Sequence, residues 1–218
     1  MTAGSKMALS LVRMKPLLSK WLAATLLPRY LYDSATHRAN ASRRWRRAAA
    51  LPHLTAVLSM EPEIRDIESF VVVGVRERFD QATKQRIPAL WQRFVPRIPE
   101  IVSRRPGATF GVCANANAKT GSFDYIAGVA VDSVEPVPEG LSAETIPRQT
   151  YAVFTHHVKS TSLHPELQAT IRWIWGTWLP AAPYEYVPGP DFERYPPEFD
   201  AENGKGFLEI CIPVRRKS

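Results

Sequence analysis

Acidic residues are almost missing from the first quarter of this 218-residue sequence. Residues 1–59 hold ten Lys or Arg against one acid, Asp33, which gives the segment a formal charge of +9. The rest of the chain, with 18 bases and 20 acids, carries −2. The net charge of +7 therefore belongs to the N-terminal segment, and it does not indicate that the remainder binds nucleic acid.

Several other features are scarce or missing. There are two cysteines, Cys113 and Cys211, both in apolar strand-like runs, so we expect buried free thiols and not a disulfide framework. No run of about 18 apolar residues predicts a membrane helix. No phosphate loop has the Walker spacing. His156 and His157 are adjacent and would point to opposite faces of a strand, which disfavours a shared metal ion. We expect neither metal nor cofactor.

The N-terminal segment also lacks apolar periodicity. It is rich in Arg, Ala and Ser and contains SRRWRR at 42–47. Three interpretations stay open: a disordered extension from a start placed upstream of Met60, a targeting peptide, or a nucleic-acid-binding arm. The low periodicity favours the extension. We therefore divide the chain into an extension, 1–59, and a folded domain, 61–218, which we expect in the cytoplasm.

Two units with the same order of elements follow. The first has a Val-rich strand over 64–79, an amphipathic helix over 87–98, and strands at 108–115 and 123–131. In the first strand, Gly74 indicates a bulge or a close-packing point.

The second unit repeats this order with a strand, a helix and two further strand regions, at 146–159, 167–179, 184–195 and 207–214. The repetition predicts an α+β fold with a duplicated strand–helix–strand–strand unit, an antiparallel sheet and a central ligand cleft. Alignment of VAV at 129–131 with IPV at 212–214 matches three pairs, Asp124 with Phe207, Ile126 with Glu209, and Gly128 with Cys211.

A carboxylate interrupts the last apolar strand. The period-2 alternation puts Phe207, Glu209 and Cys211 on one face. A carboxylate between a Phe and a Cys is costly unless it is paired or protonated. Two interpretations stay open: Glu209 is wetted by solvent on an edge strand, or it lines a pocket.

Two motifs carry a family resemblance. FERYP at 192–196 followed by LEICIPV at 208–214 resembles the end of a GyrI-like small-molecule-binding domain, the effector-binding part of some AraC-type and MerR-type regulators. The resemblance spans roughly 63–214. It implies a central acidic residue, walled by aromatic rings, that meets a lipophilic and often cationic ligand. The matching acids are Glu193 and Glu209. Family members often have an aromatic residue where this chain has Cys211.

The expected ligand site combines these acids with a third carboxylate and nearby rings. The candidate ligand-binding residues are Glu209, Glu193, Asp124, Tyr125, Tyr151, Trp173, Tyr186 and Phe207. A carboxylate attracts a cation more strongly where water is excluded, and aromatic faces add cation–π attraction. We therefore expect a stand-alone binding protein for a hydrophobic, cationic or planar aromatic small molecule.

The resemblance leaves other functions open. Some members of the family hydrolyse cyclopropane-bearing electrophiles, which here would use Glu209 as general acid or base and Glu193 as a second carboxylate. GyrI-type members bind DNA gyrase, which implies a protein partner such as a regulator or a gyrase-like target. A related fold carries haem, for which His156 or His157 would be the ligand. We expect binding of a small molecule in preference to catalysis.

Overall fold

The computed structural model describes residues 60–160, 163–200 and 202–218. In this part of the chain nine strands form, namely β1 (Glu63–Ile67), β2 (Phe70–Phe79), β3 (Arg104–Asn117), β4 (Ser122–Val131), β5 (Ser142–Ile146), β6 (Gln149–His157), β7 (Tyr184–Tyr186), β8 (Asp191–Tyr195) and β9 (Phe207–Arg216). The main helices are α1 (Ile87–Phe94) and α2 (Leu163–Trp173). The interpretations of 1–59 lie outside the described residues.

All strand pairs are antiparallel, and they form a sheet in the order β1-β6-β9-β8-β3-β4-β2-β5, with β7 paired to the end of β9. The expected α+β fold with an antiparallel sheet is confirmed. None of the described helices has the length and apolarity that crossing a bilayer takes.

The order of the strands requires the sheet to roll up. β1 and β2 lie six strand spacings apart in the sheet, about 29 Å if the sheet were flat. Only two residues join them, so their ends lie within about 11 Å. β5 and β6 are related in the same way. Rings from distant strands meet on the inside of the roll: Phe70 of β2 lies 5.4 Å from Phe110 of β3 and 5.7 Å from Phe192 of β8, between ring centroids.

The duplication is visible in the strand order, which reads the same from either end when β1 is matched with β5, β6 with β2, β9 with β4 and β8 with β3. Gly111 and Glu193 pair across β3 and β8 at the centre of this symmetry. Gly111 also pairs with Ala127, and Glu193 with Ile210, so the register matches Ile126 with Glu209. This is the correspondence that the sequence alignment predicts.

The helices cover the outer face of the rolled sheet. Pro88 lies in the first turn of α1, and the chain continues past Phe94 as a 3₁₀ helix, Val95–Glu100, that contains two prolines. α2 continues as a π-helical segment, Ile174–Trp178. The larger hydrophobic core lies between these helices and the sheet, and a smaller core fills the inner face.

The single strand predicted over 64–79 is broken in two, as β1 and β2. The strand predicted over 146–159 corresponds to β6, and the short strand β5 before it was not predicted. The break between β1 and β2 falls at Glu68 and Ser69, where the Ser69 hydroxyl donates a hydrogen bond to the carbonyl of Ile146, 3.0 Å away. Each leading strand pairs with the edge of the other half, so the chain must turn between them. Gly74 is a close-packing point and not a bulge, because a Cβ there would lie 1.9 Å from the Ala127 carbonyl oxygen and the register is continuous.

Candidate functional site

The eight candidate ligand-binding residues fall on both faces of the sheet. Four lie on the outer, helix-covered face: Glu193, Tyr125, Trp173 and Tyr186. Four lie on the inner face, by core membership, pocket lining or strand alternation: Glu209, Asp124, Tyr151 and Phe207. The structure therefore does not bring the eight residues together in one cleft. It divides them into two groups of four, one on each side of the sheet.

Glu193 is fully buried on the outer face, with 0% of its surface exposed. The Tyr125 hydroxyl donates to its carboxylate at 3.2 Å, and the Tyr195 hydroxyl donates at 3.4 Å. The indole Nε1–H of Trp91 donates in turn to the Tyr125 oxygen at 3.2 Å. Hydrogen bonds to a carboxylate stabilise its charged form, so these phenols offset part of the cost of burial. We call Glu193, Trp91, Tyr125 and Tyr195 the Glu193 cluster.

The phenol of Tyr125 is held in its protonated form. Burial raises its pKa well above the ordinary value, and the neighbouring Glu193 carboxylate raises it further. Tyr125 is therefore a hydrogen-bond donor to Glu193 throughout the physiological pH range. The cluster presents a single carboxylate surrounded by aromatic surface.

Gly111 makes room for this cluster, and the sequence analysis did not single it out. It pairs with Glu193 across β3 and β8, and a Cβ on it would lie 2.0 Å from the Tyr125 hydroxyl oxygen and 2.9 Å from the Glu193 Oε2. Glycine in the interior of a strand often marks a close approach of this kind. The FGV run at 110–112 was the available signal.

Aromatic rings close the cluster on the side of α1. Trp91 and Tyr195 pack edge to face with centroids 5.5 Å apart, and Tyr195 and Phe199 do so at 5.0 Å. Trp91 and Phe199 are buried, whereas Tyr195 is half-buried. The ring of Tyr195 is thus the surface-facing part of the cover.

A pocket of about 420 Å³ opens on the inner face, which we call the arginine pocket. Its lining residues combine charged side chains at the rim with an apolar floor: Arg65, Ile67, Phe70, Arg105, Pro106, Ala108, Phe110, Ala130, Phe192, Arg194, Glu209 and Cys211. Glu209 therefore lines a pocket, and it is 6% exposed. No sequence pattern predicted a role for these arginines.

Glu209 is already paired with two cations. Its Oε1 accepts a hydrogen bond from Nη1 of Arg65 at 3.1 Å, and its Oε2 accepts one from Nη1 of Arg194 at 2.8 Å. Arg194 lies directly opposite Glu209 in the β8–β9 pairing, and Arg65 comes from β1. The charge of Glu209 is thus compensated within the protein. The sequence instead suggested a carboxylate whose charge attracts a cationic ligand.

The remaining inner-face candidates do not line this pocket. Asp124 forms ion pairs with Arg78 at 2.8 Å and with Arg76 at 3.6 Å. Phe207 lies beside His157, with ring centroids 6.0 Å apart. The hydrolase alternative assigned Glu193 as a second carboxylate beside Glu209, whereas the sheet places these two residues on opposite faces.

The two histidines point to opposite faces of β6, as the alternation predicts: His156 is buried and His157 is exposed. His156 contacts Thr170 of α2 through Nδ1, at 2.9 Å. Within the described ranges, no group of three or more His, Cys, Asp or Glu side chains converges in a geometry that could hold a metal ion.

Comparison with known proteins identifies the family. The model of the integron-associated effector binding proteins, Cass2, matches residues 63–214, and the chain belongs to this family. The transcriptional regulator BrlR of Pseudomonas aeruginosa is 36% identical over 187 residues, which cover 82% of this chain and 67% of BrlR.

Solved structures share the fold. An integron cassette protein from the mobile metagenome of Vibrio cholerae superposes with a TM-score of 0.53 and 23% identity, over 71% of this chain and 96% of that protein. SAV2435, solved bound to tetraphenylphosphonium, gives a TM-score of 0.58 and 21% identity, over 72% of this chain and 94% of SAV2435. The domain is thus an effector-binding domain in family and in fold.

Proposed function

We propose that this domain binds a lipophilic organic cation at the Glu193 cluster, on the outer face of the sheet. The observation that carries the proposal is the complete burial of the Glu193 carboxylate among aromatic rings. A buried carboxylate is costly, and a cation placed beside it is strongly favoured because water no longer screens the attraction.

The rings of the cluster suit the apolar part of such a ligand. Trp91, Tyr125 and Tyr195 offer aromatic faces and edges close to one carboxylate. Each cation–π contact contributes about 0.5–2 kcal/mol, with the larger values where the cation is desolvated. A delocalised or shielded cation loses less hydration on entry than an ammonium ion, so bulky aryl cations are the favoured class.

Entry requires the cover to move, since Glu193 has no exposed surface. Tyr195 is the half-buried ring of the cover, and it packs edge to face against Phe199 in the segment between β8 and β9. We infer that rotation of Tyr195 exposes the carboxylate. Its hydrogen bond to Glu193 is long, at 3.4 Å, and so it is the weaker of the two phenolic bonds.

One solved structure supports this ligand class, and one relative supports a regulatory setting. SAV2435 has the same fold and was solved with tetraphenylphosphonium bound. BrlR is a transcriptional regulator that shares 36% identity with this chain. A domain of this family that recognises aryl cations would act as the sensing or sequestering part of such a system.

The test is a calorimetric titration of tetraphenylphosphonium into the full chain and into two matched variants, Glu193→Gln and Glu209→Gln. Both changes remove one buried carboxylate charge. Glu193→Gln is expected to weaken binding by roughly 10- to 100-fold, the range for a lost charge-assisted contact. Glu209→Gln is expected to leave the dissociation constant within about threefold of the wild type, because its carboxylate lies on the other face.

The neutral analogue triphenylphosphine oxide serves as the ligand control, since it keeps three of the four phenyl groups and carries no net charge. It should bind more weakly than tetraphenylphosphonium and should not distinguish Glu193→Gln from the wild type. Equal losses in both glutamate variants, or a loss confined to Glu209→Gln, would contradict the assignment of the site.

A further inference from the structure

The arginine pocket lies on the opposite side of the sheet from the Glu193 cluster and is a separate concavity. Its volume of about 420 Å³ falls within the range of small-molecule sites. It opens to solvent on the inner face, so a ligand reaches it without displacing α1 or the rings of the cover.

The floor of the arginine pocket is aromatic. Phe70, Phe110 and Phe192 come from three different strands and lie with their centroids 5.4 to 6.1 Å apart. Ala108 and Ala130 line the pocket beside them. Small residues next to three phenyl rings leave a space bounded by flat apolar surface, which a planar ring system fills well.

The rim of the pocket carries more positive than negative charge. Three arginines and one glutamate line it, Arg65, Arg105, Arg194 and Glu209. Arg65 also pairs with Glu63, and Arg105 with Asp132, but these two acids are 63% and 71% exposed and do not line the pocket. Exposed ion pairs of this kind are screened by water and are worth little.

Glu209 positions Arg65 and Arg194, and Arg194 keeps hydrogen-bond donors that the protein does not use. Among the described residues, Arg194 donates to Glu209 through Nη1, and its Nε and Nη2 have no protein acceptor. Its side chain is 39% exposed, so these groups are accessible from the pocket. A guanidinium held by one carboxylate retains a planar edge that fits a second carboxylate in a bidentate geometry.

We propose that the arginine pocket binds a planar aromatic carboxylate, with its rings on the three phenylalanines and its carboxylate on Arg194 and Arg105. The class of ligand is opposite in charge to the one proposed for the Glu193 cluster. The two sites lie on opposite faces of one sheet, so a single domain binds two kinds of small molecule. This proposal does not depend on the outcome for the Glu193 cluster.

The probe is 2-naphthoate, titrated by calorimetry into the full chain, with 2-naphthamide as the neutral analogue of the same shape. We expect 2-naphthoate to bind at least tenfold more tightly than 2-naphthamide. An increase in salt from 0.05 to 0.5 M should weaken binding of the carboxylate and leave the amide unchanged, because salt screens only the charged contact.

Arg194→Met keeps an unbranched apolar stem and removes the guanidinium group with its charge and donors. It is expected to weaken 2-naphthoate by about tenfold or more and to change 2-naphthamide by less than threefold. The matched control is Arg215→Met, which removes an exposed arginine that pairs with Glu185 and does not line the pocket. It should bind both probes as the wild type does.

Equal binding of the acid and the amide would overturn the proposal, as would no binding of 2-naphthoate at millimolar concentration, or an unchanged affinity for 2-naphthoate in a folded Arg194→Met variant. If Arg194→Met fails to fold, the comparison of acid with amide and its salt dependence decide the question in the wild type.

Discussion

At the scale of single residues, His156 shows how burial sets a charge state. It is 4% exposed, its Nδ1 contacts the Thr170 hydroxyl, and its Nε2 has no hydrogen-bond partner among the described residues. Burial lowers its pKa to about 4, against an opposing effect of the Glu166 carboxylate, 3.8 Å away, and with smaller lowering effects of Lys159 and His157.

This pKa predicts an acid-dependent loss of stability. The unfolded chain takes up a proton at His156 near pH 6.5, whereas the folded protein resists it until about pH 4. Between these values the unfolded state binds more protons, so the free energy of unfolding falls as the pH falls, by about 3 kcal/mol at pH 4. Urea unfolding at pH 7 and pH 4 should give a smaller difference for His156→Gln than for the wild type. An unchanged difference would contradict this account, and His157→Gln provides the control.

At the scale of elements, the second helix is the least regular part of the domain. α2 passes into the π-helical segment at Ile174, and within the described residues the buried indole N–H groups of Trp173 and Trp175 have no acceptor. Unpartnered buried donors cost about 1–3 kcal/mol each, and π segments are uncommon in ordinary helices. This segment is therefore less stable than α1, and it lies in the outer core beside the rings that cover the sheet.

Substitution of the glycine in the π-helical segment gives a testable prediction of stability. Gly176 has open space around it, since a Cβ there would meet no atom within 4 Å. Gly176→Ala should raise the free energy of unfolding by about 0.5–1 kcal/mol, because alanine loses less backbone freedom on folding. Gly74→Ala is the opposite case, where the new Cβ would lie 1.9 Å from a carbonyl oxygen, and it should destabilise by about 1–3 kcal/mol. Urea unfolding measures both, and a loss of stability in Gly176→Ala would contradict the account.

The elements themselves were largely predictable. Apolar spacing located both helices, because each buries one regular face. Apolar runs located β3, β4 and β9, because the middle of each strand is buried on both faces. The break after β1 was not predictable, since the flanking residues favour a strand and only pairing with the other half forces the turn. The strand β5 was not predicted either, and it forms where its residues pair with β2. The π-helical segment had no local signal either, because its residues continue the apolar helical pattern of α2.

At the scale of the whole molecule, the rolled sheet separates two carboxylates that the sequence could not tell apart. Glu193 and Glu209 both stand in apolar strands near the carboxyl end, and the sequence identified both as candidates. Their faces depend on the β8–β9 register, which sets Arg194 and not Glu193 opposite Glu209. Register is fixed by long-range pairing, so local alternation gives the period of a strand but not its relation to the next.

The separation gives each face its own chemistry. The outer face holds a buried carboxylate under aromatic rings, whereas the inner face holds a glutamate already neutralised by two arginines. The pseudo-symmetry of the fold sharpens this difference, because Glu193 is matched by Gly111, and the space that the glycine leaves is taken up by the Tyr125 hydroxyl. The two halves thus share one duplicated fold, and different residues at matched positions make their chemistry unequal.

The most direct test is a crystal structure of the full chain grown with tetraphenylphosphonium. We predict that the phosphorus atom lies on the outer face beside the Glu193 carboxylate, with the Tyr195 ring turned away from its place in the free protein and the arginine pocket without the cation. Electron density for the cation on the inner face beside Glu209, with the Glu193 cluster still closed, would contradict the account.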